Sequence, residues 1–239
     1  MAPGICPAPN PFLYAYNFPS TGGIIALALG VKNWSTDECI ERFVKLCDQA
    51  FTPRELNKIP IMKKVAVIGH GSTYKTKPLY AALRAEFGDE VLFGGQQKDN
   101  SRTRIKVAVT STDETGQKAI LLANYRHSGK GNLSCEHYRP SNPKLEMKVW
   151  EAAAATSAAP SYFKPFYHQA SGRSYLDGAL YNNNPVRVAH REIPMLWPDV
   201  SKKAPDIFLS IGTGKNKKDI ENERAAASMC VNYRPNFIH

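Results

Sequence analysis

The sequence predicts an α/β domain, and three observations carry that prediction. Apolar blocks switch along the chain between the 3.6-residue period of helices and the two-residue alternation of strands. Turn residues separate the blocks, notably Gly88, Asp113-Glu-Thr-Gly116 and Asp177-Gly178. Of 239 residues, 43% are hydrophobic and 22% charged, an ordinary globular balance that excludes disorder of the whole chain and allows a sizeable core.

The elements follow in order. Residues 12–18 read as a short strand and 21–30, all small and apolar, as a buried helix. Ser35-Thr-Asp-Glu38 has the S-x-x-E form of a capping box. Behind it Ile40, Phe43, Val44 and Cys47 recur at helical spacing, so 36–50 is expected to be an amphipathic helix. Thr52-Pro53 opens another short helix, with proline at its first position. Residues 78–87 form a helix that Gly88 ends. Residues 105–110 alternate and are rich in β-branched side chains, which predicts a strand paired through the 113–116 turn with 119–124. Residues 125–145 are polar and read as a loop. Helices are expected over 146–157 and, opened by Pro185, over 186–196. A buried strand over 206–211 runs into Gly212-Thr-Gly214, and no clear pattern follows Ala227. No repeat and no internal domain boundary is visible.

Composition removes several functions. The longest apolar run, 22–31, falls short of the ~18 residues that span a bilayer. The first residues lack the basic start of a secretory signal. The five cysteines (6, 39, 47, 135 and 230) are odd in number and form no C-x-x-C, which argues against a disulfide framework or a zinc site. His127 and His137, flanking Cys135, read as surface residues. Lys plus Arg number 31 against 21 Asp plus Glu, a formal charge of +10 that favours acidic partners. The clusters Lys63-Lys64, Lys202-Lys203 and Lys215-Asn-Lys217-Lys218 lack the interleaved aromatics of a single-strand groove. No nucleic-acid partner is expected. A solvated basic surface is the ordinary reading of the charge, and attraction to an anionic membrane surface the functional one. Gly69-His-Gly71-Ser-Thr-Tyr-Lys75-Thr76 fails as a phosphate loop because Tyr74 stands where a glycine must precede Lys-Thr.

Two segments can carry chemistry. In Pro19-Ser20-Thr21-Gly22-Gly23 a serine sits between a short strand and a helix of small residues, the setting of a nucleophile elbow. The helix N-terminus would supply N–H groups and partial positive charge to a developing oxyanion. On its own, the segment reads equally as Ser20 or Thr21 capping the helix. In Tyr175-Leu-Asp177-Gly178, followed by Asn182-Asn183-Asn184-Pro185-Val186, an aspartate ends a strand. It is either a general base or part of an Asp-Gly hairpin turn.

Taken in order with Ala-Thr-Ser-Ala-Ala-Pro (155–160), Tyr162-Phe163 and Ile211-Gly-Thr-Gly214, these segments resemble the patatin-like phospholipase family, over about residues 19–215. The middle of the chain is most similar to fungal-type members. The resemblance implies a three-layer α/β/α fold with a mainly parallel sheet, the domain filling 19–220 between an atypical 1–18 segment and a 221–239 tail. It implies a lipid acyl hydrolase, a serine carboxylic ester hydrolase of phospholipase A type working in lipid metabolism. Ser20 matches the nucleophile, Asp177 the base, Gly22 the second glycine of the elbow, and Gly178 the turn that places the aspartate. The Thr21 N–H is the oxyanion donor that this chain retains. The mechanism needs no histidine, no metal and no cofactor. Expected partners are phospholipid or glyceride esters and an anionic membrane surface. The expected location is the cytoplasm, including peripheral contact with membranes.

Two departures from the family pattern matter. Phe18 stands where the family has glycine two residues before the serine, which should strain or displace the elbow, and Pro19 adds a fixed φ. The family's Asp-Gly-Gly-Gly-x-x-Gly loop, whose N–H groups form the oxyanion hole, has no match before Ser20, nor has the strand leading into it. The reading is therefore of a patatin-like domain missing its first strand and glycine-rich loop, and shortened again at His239. The competing function is a catalytically impaired remnant acting as a lipid-surface or protein-binding module.

Overall fold

The computed structural model describes residues 15–51, 72–93, 105–125, 135–138, 140–197 and 209–211. The expectations for 1–14, Thr52-Pro53, Gly69–Gly71, His127, Gly212–Gly214, the three lysine clusters and the tail lie outside the described residues. The chain divides into two units, Met1–Lys202 and Lys203–His239. Of the strand expected over 206–211, residues 206–208 lie outside the described residues, while Leu209 and Ile211 are each 73% exposed and carry no strand pairing. An apolar run signals a need for burial without naming what meets it.

The first unit runs β1 (Ala15–Phe18), α1 (Ser20–Gly30), α2 (Thr36–Ala50), α3 (Thr76–Phe87), β2 (Lys106–Asp113), β3 (Ala119–Ala123) and β4 (Cys135–His137). A 3₁₀ turn (Pro143–Leu145) follows, then α4 (Val149–Thr156), β5 (Phe166–His168), β6 (Arg173–Asp177), α5 (Ala179–Asn182) and α6 (Val186–Leu196). The helices predicted over 21–30, 36–50, 78–87, 146–157 and 186–196 are present, and so is the β2–β3 hairpin. β4 was not expected: it is a three-residue strand inside the predicted loop, too short to show alternation, and His137 in it is half-buried against Glu192 at 3.1 Å rather than at the surface.

Local chemistry explains the boundaries. Ser35 Oγ accepts the Glu38 N–H at 3.2 Å, but the Glu38 carboxylate pairs with Arg42 at 2.9 Å one turn on, so half of the capping box forms. α2 buries Cys39, Leu46 and Ala50, while Ile40 and Val44 are 58% and 55% exposed; its apolar face is rotated from the expected one. At the β2–β3 turn the Asp113 carboxylate accepts the N–H groups of Gln117 and Lys118, both at 2.9 Å. Gly116 supplies the positive φ of 74°.

The strands form one sheet in the order β4-β3-β2-β6-β5, with β1 also paired to β2. Among the described residues β1–β2 and β3–β4 are parallel, while β2–β3, β2–β6 and β5–β6 are antiparallel. The sheet is thus mixed, not mainly parallel. Short connections decide this: a tight turn can only reverse the strand, whereas a parallel partner needs a long crossover, as β1 reaches β2 through α1, α2 and α3.

Helices cover both faces. Val107, Val109, Ile120 and Leu122 point to one side, against α1, α2, α3 and α4. Ala108, Leu121 and Ala123 point to the other, with Val188 and Leu196 of α6. This is the expected α/β/α layering. α1 is mostly apolar and largely enclosed, burying Ile24, Ala26, Leu27 and Ala28 while Thr21 and Ile25 stay exposed. α4 buries every residue from Ala152 to Thr156, and its alanines let its axis lie close to the sheet. Replacing Ala154, wholly buried in that row, by Leu is expected to destabilise the domain by about 1–3 kcal/mol through overpacking. The check is the urea midpoint at constant slope; an unchanged midpoint would mean that α4 is not closely packed.

Candidate active site

The register of the sheet creates the site. β3 occupies one edge of β2. On the other edge, β1 runs parallel to β2 until Phe18 lies opposite Val109. β6 comes from the opposite direction along the same edge until Asp177 lies opposite Ser111. The two C-terminal ends therefore converge on Thr110, and neither strand can continue. β1 leaves through Pro19 into α1, and β6 leaves through Gly178 into α5. The residues at the two exits are Ser20 and Asp177.

Both exits are held tightly. Ser20 adopts φ 55°, a left-handed conformation that costs a non-glycine residue roughly 1–2 kcal/mol. Pro19, extended at φ −92° and ψ 165°, is the N-cap of α1, and no side chain caps the helix. Ser20 is thus a strained turn residue rather than a capping one. Phe18 stays in register with β2, and the elbow falls directly after it, not displaced as expected. The Ser20 N–H donates to Thr156 Oγ1 at 3.1 Å, and the same hydroxyl donates to the Thr110 carbonyl at 2.7 Å. The chain after α4 holds the other exit: the Asp177 N–H donates to the Ala158 carbonyl at 3.0 Å and the Gly178 N–H to the Thr156 carbonyl at 3.3 Å. The β2 hydroxyls complete it, Ser111 donating to the Leu176 carbonyl at 2.7 Å and Thr112 to the Asp177 carbonyl at 2.9 Å.

Asp177 and Ser20 meet through their side chains. The Ser20 side chain faces the Asp177 carboxylate closely enough to favour its anion, and that carboxylate accepts the Ala179 N–H at 2.7 Å. Asp177 is 2% exposed. Burial pushes its carboxyl above the ordinary value of 3.8, while the Ala179 N–H and the Ser20 hydroxyl act the other way by stabilising the anion. On the helix side, the Gly23 N–H is taken by the Pro19 carbonyl at 3.1 Å. The N–H groups of Thr21 and Gly22 have no acceptor among the described residues. They lie in the first turn of α1, where the helix dipole is positive.

Ser20 and Thr21 open onto a cavity of about 250 Å³ whose walls are apolar, formed by Ile24, Leu46, Leu79 and Phe163 among others. A constrained hydroxyl, a buried carboxylate and free N–H groups beside an apolar pocket suit attack on an ester whose acyl part is hydrocarbon.

The structure brings together Ser20, Thr21, Gly22, Asp177 and Gly178. Asp177-Gly178 leads into α5, not into a hairpin. Thr110 and Thr156 were not singled out from the sequence. Thr156 lies within the Ala-Thr-Ser-Ala-Ala-Pro segment that marks the family, but its hydroxyl gave no separate signal. Gly178 has φ −63°, open to any residue. What excludes a side chain is space: a Cβ would overlap the Thr110 carbonyl oxygen and lie 2.6 Å from Thr110 Oγ1. Gly178→Ala is therefore expected to displace the Asp177 turn and destabilise the domain by about 1–3 kcal/mol. A thermal melt checks this; wild-type stability would show that the turn has slack.

Comparison with known sequences agrees with this geometry. The profile described as Patatin-like phospholipase matches residues 20–190, from Ser20 through Asp177. A human calcium-independent phospholipase A2-gamma is 31% identical over 207 residues, covering 85% of this chain and 24% of that protein. Phospholipase A I of Arabidopsis thaliana is 27% identical over 235 residues, covering 82% and 17%. The cGAMP-activated phospholipase of Vibrio cholerae is 26% identical over 202 residues, covering 81% and 50%. The chain spans about a quarter of the length of its mammalian relatives. With the family match running from Ser20 through β2–β6 and the aspartate turn, this chain belongs to the patatin-like phospholipase family.

Proposed function

We propose that the protein is a lipid acyl hydrolase that cleaves fatty acyl esters of phospholipids or glycerides through a Ser20–Asp177 dyad. The observation that carries this reading is a strained Ser20 side chain set against a buried Asp177 carboxylate at the opening of an apolar cavity. The phospholipase names of the relatives support the substrate class.

In the proposed reaction Asp177 takes the Ser20 proton as Oγ bonds to the ester carbonyl carbon. The carbonyl oxygen becomes an oxyanion facing the Thr21 and Gly22 N–H groups. Collapse breaks the bond to the alcohol oxygen, which leaves as lysolipid or alcohol with the proton from Asp177. Water, deprotonated by the same carboxylate, then frees the fatty acid from Ser20. Burial keeps Asp177 a stronger base than an exposed carboxylate, which suits it to act without a histidine.

The test is labelling with a fluorophosphonate, followed by turnover of a short-chain p-nitrophenyl ester. Wild type should label, Ser20→Ala should not, and Asp177→Asn should lose about 100- to 10,000-fold in rate. A folded wild-type protein that neither labels nor turns over would instead support the binding-module reading, which rests on Phe18 two residues before the serine and on the formal charge of +10.

The buried carboxylate also fixes two pH effects. The base works only as the anion, so kcat should fall as pH drops through a midpoint above 3.8. For stability the sign is opposite. A folded pKa raised above the unfolded one means that the native state binds more protons, so stability falls as pH rises from the unfolded value through the folded one. Asp177→Asn, which removes that charge, should therefore be more stable than wild type at pH 7 although inactive. A lower melting temperature for Asp177→Asn would contradict this account of the carboxylate.

A further inference from the structure

We propose that the rim of the Ser20 cavity is a docking face for a bilayer surface rich in anionic phospholipid, built from Lys75, Lys77 and Lys164 beside Phe51, Tyr74 and Tyr162. The proposal rests on the reading of that cavity as a lipid acyl site.

Two short segments are stitched together at the rim. The Thr73 N–H donates to the Ser161 carbonyl at 2.7 Å and the Tyr74 N–H to the Tyr162 carbonyl at 2.9 Å. The Lys164 N–H reaches Thr76 Oγ1 at 3.3 Å. Thr76 lies between Lys75 and Lys77, so this contact brings the backbone that carries them beside Lys164; Lys77 and Lys164 are exposed and Lys75 half-buried, and the three make a basic ridge along the rim. Among the described residues none of the three forms an ion pair. Residues 72–79 and 159–165 contain no carboxylate, and Asp48 is the one carboxylate in the adjoining 47–51 stretch.

The ridge adjoins the cavity through aromatics. Phe51 meets Tyr74 edge-on with centroids 5.1 Å apart, and Tyr74 stacks on Tyr162 at 6.2 Å. Phe51 and Tyr162 both line the cavity, yet remain 40% and 55% exposed. An aromatic with a polar tip and an exposed phenyl ring suit the headgroup boundary of a bilayer.

The helix behind the ridge adds a second mark. α3 starts at Lys75 as N-cap with no side-chain cap and no acidic residue in its first turn. Two lysines therefore sit at the positive end of a 12-residue helix, the reverse of the favourable placement. A layer of phosphates opposite the ridge would satisfy both the lysines and the open N–H groups.

The test uses the Ser20→Ala chain, so that vesicles are not consumed, and sedimentation with either phosphatidylcholine vesicles or mixed phosphatidylcholine–phosphatidylglycerol vesicles. Binding should require phosphatidylglycerol and weaken with salt. The Lys75→Gln/Lys77→Gln/Lys164→Gln variant should lose about fivefold per lysine, about 100-fold in all. A control variant with Lys118, Lys144 and Arg187 changed to Gln should bind as before. Equal binding to both vesicle types, retained binding by the ridge variant, or equal loss in the control would each overturn the proposal. Turnover of the soluble p-nitrophenyl ester by otherwise wild-type chain should survive the three ridge substitutions. Absence of that turnover in wild type would count against the hydrolase reading, while the vesicle result would still decide the docking face.

Discussion

Everything at the site follows from the edge of β2 at Thr110. Two strands approach it end to end, and the space between them admits no side chain at Gly178. The Thr110 carbonyl then anchors the Thr156 hydroxyl, which holds the Ser20 N–H in turn. A single short stretch of backbone thus fixes the position of the serine, the strain of its φ angle and the approach of the aspartate. The hydroxyls of Ser111 and Thr112 belong to the same device, since they tie the end of β6 to β2 just before the chain turns away. Buried polar groups of this kind stabilise only when they are satisfied, and here most are satisfied by one another.

The electrostatics depend on that packing. A carboxylate 2% exposed is expensive unless hydrogen-bonded, and Asp177 accepts the Ala179 N–H with the Ser20 side chain beside it favouring the anion. Burial raises its basicity, and these contacts keep the anion accessible. The strained serine sits in the first turn of α1, where the positive end of the helix dipole meets the place at which negative charge would develop. Stability is spent at this point, in φ and in desolvation. The apolar layers on both sides of the sheet supply the surplus that permits it.

Much of this was legible in the chain. The elbow was readable because small residues after Ser20 leave few alternatives to a close strand–helix turn, and Asp177-Gly178 because a glycine follows an acid at a strand end. The helix boundaries were readable from Ser35, Gly88 and Pro185. Other features were not. Ile40 and Val44 have the spacing of a buried face, yet Cys39, Leu46 and Ala50 take it, because the neighbouring helices choose the face. Strand direction is a property of connections and partners, so the mixed sheet was not visible in any one strand. Thr110 and Thr156 are ordinary threonines in sequence, and their importance arises only when residues 46 positions apart are brought into hydrogen-bond contact. The residues between Pro78 and Phe87 announced a helix, but the lysine ridge at its start emerged only when 72–76 met 161–164.

The central claim is that the Thr110–Thr156 clamp holds Ser20 in its reactive posture. Its most direct test is the rate of fluorophosphonate labelling of Thr156→Val, which keeps the shape of the side chain but can neither accept the Ser20 N–H nor donate to Thr110. The account predicts a fall of about 10- to 100-fold, matching the ~1–3 kcal/mol of an unmet buried N–H. Labelling at the wild-type rate by a folded Thr156→Val protein would contradict it, since the elbow would then stand without its clamp.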